Sequence, residues 1–313
     1  MYKFVITSLI IFIGFGSMEA QRYRNPGQYL RQFNNQKRKA DIKGLLYLEA
    51  SLKGADARRT QKYQEIVLEQ LQESKRDIER LPPYEDDDLL KREYVAAFDM
   101  LIKAYDKGFR KAEDLRDSMY ESYDHLKHYY EVVTAAEDEM YEASYKIEAA
   151  EDHFIKSYYL DFERDEEIIQ RYIMLDEATL HSRDMTLAFF RVEAQVQKML
   201  NHIEADELDS IEGDISEIRK ALELSANEVE EYSDFEGEDD LLEEMTDYIE
   251  EMKEEVNFNL IPLAEKLQNR FLGEKEYENT QKELQRFIDR QEDRVEDFYE
   301  ARADFIEEYI PED

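Results

Sequence analysis

Histidine is scarce in this chain, yet two of its five residues stand three positions apart in the run His-Leu-Lys-His-Tyr-Tyr-Glu, from His125 through His128 to Glu131. On a helix that spacing puts His128 and Glu131 on one face, with Glu121 and His125 a turn earlier. Imidazole beside carboxylate suits iron or zinc, so His125, His128 and Glu131 are the metal-ligand candidates. In a chain with 77 Asp and Glu, the same spacing also arises as an ordinary solvated helix face. Other chemistries lack their residues. Cysteine is absent, which removes disulfides and thiolate metal sites. No histidine has a glutamate three positions before it, as a carboxylate-bridged di-iron helix pair requires. In the acidic stretch from Ser233 to Asp240, Gly237 would make Tyr232 the first ligand of a calcium loop, and that fails the pattern. The phosphate-loop, dinucleotide and nucleophile-elbow motifs are missing. Paired acids such as Glu243-Glu244 and Glu250-Glu251 point to different helix faces, which does not suit glycosidase chemistry. The expectation is a non-enzymatic protein with no catalytic residues and no cofactor.

The element that must position the histidines carries the strongest pattern in the sequence. Apolar or small residues step by four and three from Tyr94, Phe98, Leu101 and Tyr105 through Gly108, Ala112, Leu115, Met119 and Ser122. They continue through Leu126, Tyr129, Val133, Ala136, Met140, Ala143, Ile147 and Ala150 to Phe154. That is the seam of a coiled coil or long helical bundle. Taken as one helix from about Leu89 to Tyr159, it would be on the order of 100 Å long. A second stripe runs Val67, Leu71, Ser74, Ile78, Leu81 and stops at Pro82-Pro83. A reversal is expected at residues 160–165, a helix from there to about His202, and a break at 203–207. The stripe Leu208, Ile211, Ile215, Ile218, Leu222, Val229 follows, and then a loop at Ser233–Glu238. Asp239 opens the next helix toward Asn259, Pro262 suits a first helical turn, and the last helix covers about Glu274 to Tyr309. No solenoid repeat period is visible. The fold class is all-α: an elongated antiparallel helical bundle, coiled-coil-like, with one very long central helix. The helical domain is expected over 29–313, with a subdivision near residue 205 as an alternative.

Composition agrees. Charged residues are 38% of the chain, and 313 residues contain only nine glycines and five prolines. Apolar content of 42%, with 22 tyrosines and 16 phenylalanines, argues against disorder. Tyrosine is expected at half-exposed positions of a narrow bundle, or on an aromatic surface for a protein or glycan partner. A net charge of -36 argues against nucleic acid or anionic lipid as a partner. The charge is uneven: residues 22–62 hold eleven bases against three acids, and residues 204–255 hold three bases against 23 acids. Basic helices lying beside acidic ones would relieve the repulsion, and a bipolar surface is the alternative.

Lys3 precedes an apolar run from Phe4 to Phe15, followed by Gly-Ser-Met-Glu-Ala. This reads as a signal peptide over 1–20, cleaved after Ala20, with an uncleaved anchor as the alternative. Residues 21–28 read as a flexible lead. The mature protein is expected to be soluble outside the cytoplasm, without a membrane span. Export without cysteine points to the periplasm or cell surface of a bacterium.

Two resemblances follow. The His128-to-Glu131 spacing resembles the imelysin-type motif of glycine, any residue, histidine, two residues and glutamate, although the glycine position is Leu126 here. That resemblance implies an extracytoplasmic metal-binding helical protein. The overall layout, with Gln28-Tyr-Leu-Arg-Gln, the turn Leu81-Pro-Pro-Tyr-Glu-Asp and a tyrosine-rich helix after it, resembles a family of exported bacterial surface proteins named after a leptospiral member. It covers roughly residues 28–180 and brings no catalytic residues with it. The expected role is presentation of an acidic binding or structural surface to an unidentified protein or cell-envelope component, by a monomer or, alternatively, a homodimer.

Overall fold

A computed structural model describes residues 25–54, 56–235, 237, 239–269 and 271–310. Residues 1–20, expected to be a signal peptide, lie outside them. Among the described residues the chain is all-α, without a strand beyond one isolated bridge between Tyr84 and Asp87. No described helix is long and apolar enough to cross a membrane.

Helix α1 (Pro26–Leu52) starts three residues before the expected beginning of the helical domain at Tyr29. Asn25 is its N-cap, with a side-chain oxygen accepting from Gly27 N at 2.8 Å, and Pro26 opens the first turn. Asn-Pro-Gly is therefore a helix start rather than part of a lead, because proline's missing N–H costs nothing there. Helix α2 (Ala57–Arg80) returns along α1: Tyr29 Oη donates to Pro82 O, and Gln36 pairs with Asp77. Its exit is a tight turn with two left-handed residues, Glu85 (φ 48°) and Asp86 (φ 71°), closed by Asp87 N to Tyr84 O at 2.8 Å.

The expected long central helix is two arms of a hairpin. Helix α3 (Leu89–Lys103) runs into a widened π-helical turn at Ala104–Phe109, the short α4 (Arg110–Leu115) and a 3-10 turn at Arg116–Glu121. Ser122 then breaks the helix with extended backbone (φ −162°, ψ 161°), and its hydroxyl accepts from His125 N at 3.2 Å to cap α5 (Tyr123–Ser157). The cross-arm partners run in opposite order: Tyr94 with Glu151, Lys103 with Glu139, and Gly108 against Ala136. A Cβ at Gly108 would stand 2.6 Å from that of Ala136, so glycine is what lets the arms close. The seam is real, but its two halves face each other.

After the reversal at 158–165, α6 (Glu166–Glu204) is the longest described helix, with 39 residues. Helix α7 (Ile211–Val229) packs back on α6 through Arg191–Glu228 and His202–Asp214. Helix α8 (Asp240–Glu255) passes through a second π-turn, Val256–Leu260, into α9 (Ile261–Gln268). Pro262 thus lies just past a widened turn, which accommodates the amide hydrogen it lacks, and not after a break. Helix α10 (Glu274–Tyr309) returns along α8 and α6, with Arg290 and Arg294 on Glu255 and Phe298 on Phe189.

The buried apolar side chains form two cores. The first comes from α1–α5, and the second from α6–α10 plus Leu45 of α1. The boundary therefore falls in the turn after α5, whereas residue 205 lies inside the second group, between the packed helices α6 and α7.

Candidate functional site: a tyrosine-lined cavity between the two cores

The sequence candidates sit on the first turns of α5 and point outward. His125 Nδ1 lies 3.4 Å from Glu121 Oε2, and His128 Nδ1 lies 3.7 Å from Glu131 Oε2; all four side chains are at least half exposed. They form two separate pairs on neighbouring turns. Among the described residues, no group of three or more His, Cys, Asp or Glu side chains is placed to hold a metal ion.

A larger concave feature among the described residues lies elsewhere. A cavity of about 890 Å³ separates the two cores, lined by α1, the π-turn and α4 on one side, by α5 and α6, and by Arg302 of α10. Its lining on α5 extends from Tyr129 to Glu151, about six turns and roughly 33 Å. The volume falls in the range typical of small-molecule sites.

Seven tyrosines line it: Tyr47, Tyr105, Tyr120, Tyr129, Tyr130, Tyr141 and Tyr172. Burial pushes Tyr47, Tyr105, Tyr141 and Tyr172 well above the usual phenol range, and Tyr130 up to about 12. These hydroxyls stay neutral at physiological pH, so they act as hydrogen-bonding groups on ring faces rather than as phenolates. Tyr172 Oη donates to Asp41 O at 3.0 Å. Tyr105, 2% exposed, has a buried hydroxyl without a partner. Both hydroxyls crowd Gly44, where a Cβ would lie 2.5 Å from Tyr172 Oη and 2.9 Å from Tyr105 Oη. Glycine inside α1 costs helix stability but leaves space for two phenols.

The lining carboxylates that are not at the rim have partners. Glu137 receives Arg183 in a bidentate pair at 2.6 and 2.7 Å, and Arg183 also lies over the Tyr130 ring at 5.7 Å. Glu113 faces Arg116 at 3.2 Å, Asp41 accepts from Lys37, and Asp176 takes the Tyr141 hydroxyl. Glu151 and Glu148 share Arg164, at 3.6 and 3.2 Å. Burial raises Asp41, Glu113 and Glu151 above the ordinary carboxyl range despite those cations.

The basic side chains behave alike with one exception. Lys37, Arg38, Arg116, Arg164 and Arg183 each have a carboxylate within 4 Å. Arg302 has none among the described residues, and its Nε is buried without a hydrogen-bond partner. Its charge acts on Tyr130 and Tyr299, which places it at the Tyr129–Tyr130 end of the cavity.

The tyrosines expected at half-exposed seam edges or on an outer surface converge instead on this cavity. Part of the signal was present in their density from Tyr120 to Tyr145, on a segment with Gly108 and Ser122 in its stripe. No family model, curated protein or solved structure matches this chain.

Proposed function

We propose that the chain is an exported, non-enzymatic helical protein of the bacterial envelope, an elongated antiparallel bundle that works by binding, and that its binding site is the cavity between the two cores. The observation that carries the reading is the cavity itself: about 890 Å³, with seven tyrosines around it. Aromatic walls with a few placed polar groups are what small-molecule sites are made of. The cavity lining contains no histidine and no cysteine, and its carboxylates are mostly engaged by arginine, lysine or tyrosine. Export rests on the residue 1–20 pattern, and the layout resemblance to leptospiral-type surface proteins fits the same compartment. The acidic exterior keeps the protein in solution and monomeric through its own repulsion.

The test uses a neutral aromatic probe, N-phenyl-1-naphthylamine, whose fluorescence rises in apolar sites. One saturable site is expected on the wild type. Thr179→Trp, which adds an indole to the α6 side of the cavity, should abolish that site while circular dichroism stays helical. No saturable binding to the wild type, or binding unaffected by the indole, would overturn the proposal.

A further inference from the structure

The cavity carries more than a shape: it has one basic group left over, and that group sets the sign of the ligand. In a chain of net charge -36, an arginine with no carboxylate nearby is unusual, since acids outnumber bases 77 to 41. Arg302 is such a residue. Its Nε is sealed from solvent without an acceptor, whereas neither Nη is among the buried atoms, so the outer end of the guanidinium is open to a ligand. Leaving a guanidinium partly buried and unpaired is costly unless something occupies it.

Resting on the binding role proposed above, we infer that the cavity takes an elongated amphipathic organic acid, with its carboxylate on the Arg302 guanidinium and its apolar body running along the tyrosine-lined wall of α5. Four observations converge on that class. The charge of the head follows from Arg302 being the unsatisfied basic side chain of the lining. A single head charge follows from Arg183, the next cation along, being held bidentately by Glu137, so a dianionic phosphate would find only one free guanidinium. A cationic ligand is disfavoured because the inner carboxylates are engaged, leaving Asp117 and Glu163, both exposed, at the rim. The length follows from a lining that extends about six turns along α5, with Val133, Met140 and Ile147 among the apolar side chains beyond the head. Tyr130, which also lines the cavity, lies close enough to Arg302 for its charge to be felt. A bidentate guanidinium–carboxylate pair in such a site is strong and directional.

The experiment compares three twelve-carbon chains that differ only at the head: dodecanoate, dodecanol and dodecylamine, each titrated calorimetrically into the exported chain. Dodecanoate is expected to bind one to one, about tenfold or more tighter than dodecanol, as one charge-assisted pair predicts. Dodecylamine should be the weakest. Arg302→Met should remove the preference for the acid while dodecanol binding persists, and Arg302→Lys should keep part of it, which separates a lost head contact from a misfolded protein. The inference is overturned if the amine binds as tightly as the acid, or if Arg302→Met leaves the acid preference intact. It is also overturned if none of the three chains binds. In that last case the neutral naphthylamine probe decides the earlier reading: its binding keeps the cavity as a site for another ligand class, and its failure removes both.

Discussion

The two cores are built on different principles, although both are helical and of similar size. The first core buries five tyrosines, and the second buries one. Tyr29, Phe33, Tyr94 and Phe154 form a chain of edge-on and tilted rings with centroids 4.9 to 5.7 Å apart, and Tyr47 forms a separate group, edge-on to Tyr105 and Phe109. The second core is filled by Met185, Met199, Met245, Met252 and branched aliphatics, with Phe189 and Phe298 stacked at 3.9 Å. A buried phenol needs a partner for its hydroxyl, whereas methionine needs only volume. Two hydroxyls of the first core have acceptors, Tyr29 on Pro82 O and Tyr94 on Glu151, and Tyr172 of α6, packed against the second core, reaches across to Asp41 O. At Tyr105 the partners run out, and Tyr105 is one of the residues that line the cavity. The lesson is that the aromatic half specifies position through polar ends and borders the cavity where one of them, on Tyr105, is left unmet.

The sharpest way to break this contrast is in the second core. Phe189→Ala should cost about 3–5 kcal/mol in denaturant unfolding, because a fully buried ring stacked on Phe298 has no polar route to compensation. A loss below about 1 kcal/mol would mean that the second core is as loosely filled as the cavity. In the first core, Tyr94→Phe preserves the ring and removes only the donor to Glu151, so about 1–3 kcal/mol should be lost at neutral pH. That loss should shrink in acid. Burial raises the Glu151 pKa against the opposing hydrogen bond from Tyr94, so the carboxyl protonates early and stops demanding a donor for its charge.

Glycine offers a smaller and opposite pair. Gly108→Ala should destabilise by on the order of 1 kcal/mol, since the new methyl meets Ala136 across the hairpin. Gly213→Ala, in α7 with nothing within 4 Å of the new methyl, should stabilise by about 0.4–1 kcal/mol. Equal signs for the two would contradict the close approach of the π-turn and α5.

The smallest expected effects are in pH dependence, and they too have opposite signs. At Asp239, burial acts to raise the pKa, but the His181 imidazole 2.7 Å away and the backbone hydrogen bonds from Leu242 N and Phe235 N outweigh it and leave the value below 3.8. Its stabilisation is present above the ordinary Asp value and is lost as pH falls through the folded-state pKa. Glu151, raised above 4.5, contributes stability below the ordinary Glu value and loses it as pH rises through its folded-state pKa. Urea midpoints of Asp239→Asn and Glu151→Gln relative to wild type, measured from pH 3 to 7, should therefore slope in opposite directions.

Much of the helical layout was legible in the sequence. The α2 stop at Pro82-Pro83, the reversal before α6, the break after His202 and the span of α10 all follow from stripes and punctuating residues. The central hairpin was not, because a four-three seam looks the same whether its partner is another helix or its own second half. Only Ser122 as an N-cap and Gly108 as a place of close approach distinguish the two, and both pass as small residues in a stripe. The same ambiguity hid the cavity. Tyrosines on α1, α5 and α6 meet only once the fold-back sets which faces look at one another, whereas the histidine pair, local to one helix, was readable and is exposed.

That fold-back underlies both cores and the cavity between them, and the chain's lack of cysteine makes it simple to test. Spin labels on Lys103→Cys and Glu139→Cys report one distance by pulsed electron resonance. The hairpin pairs these two side chains in an ion pair, so the labels should lie within about two helix diameters, roughly 20 Å. A single continuous helix would hold them about 54 Å apart, and that result would contradict the fold-back, the division into two cores and the binding site together.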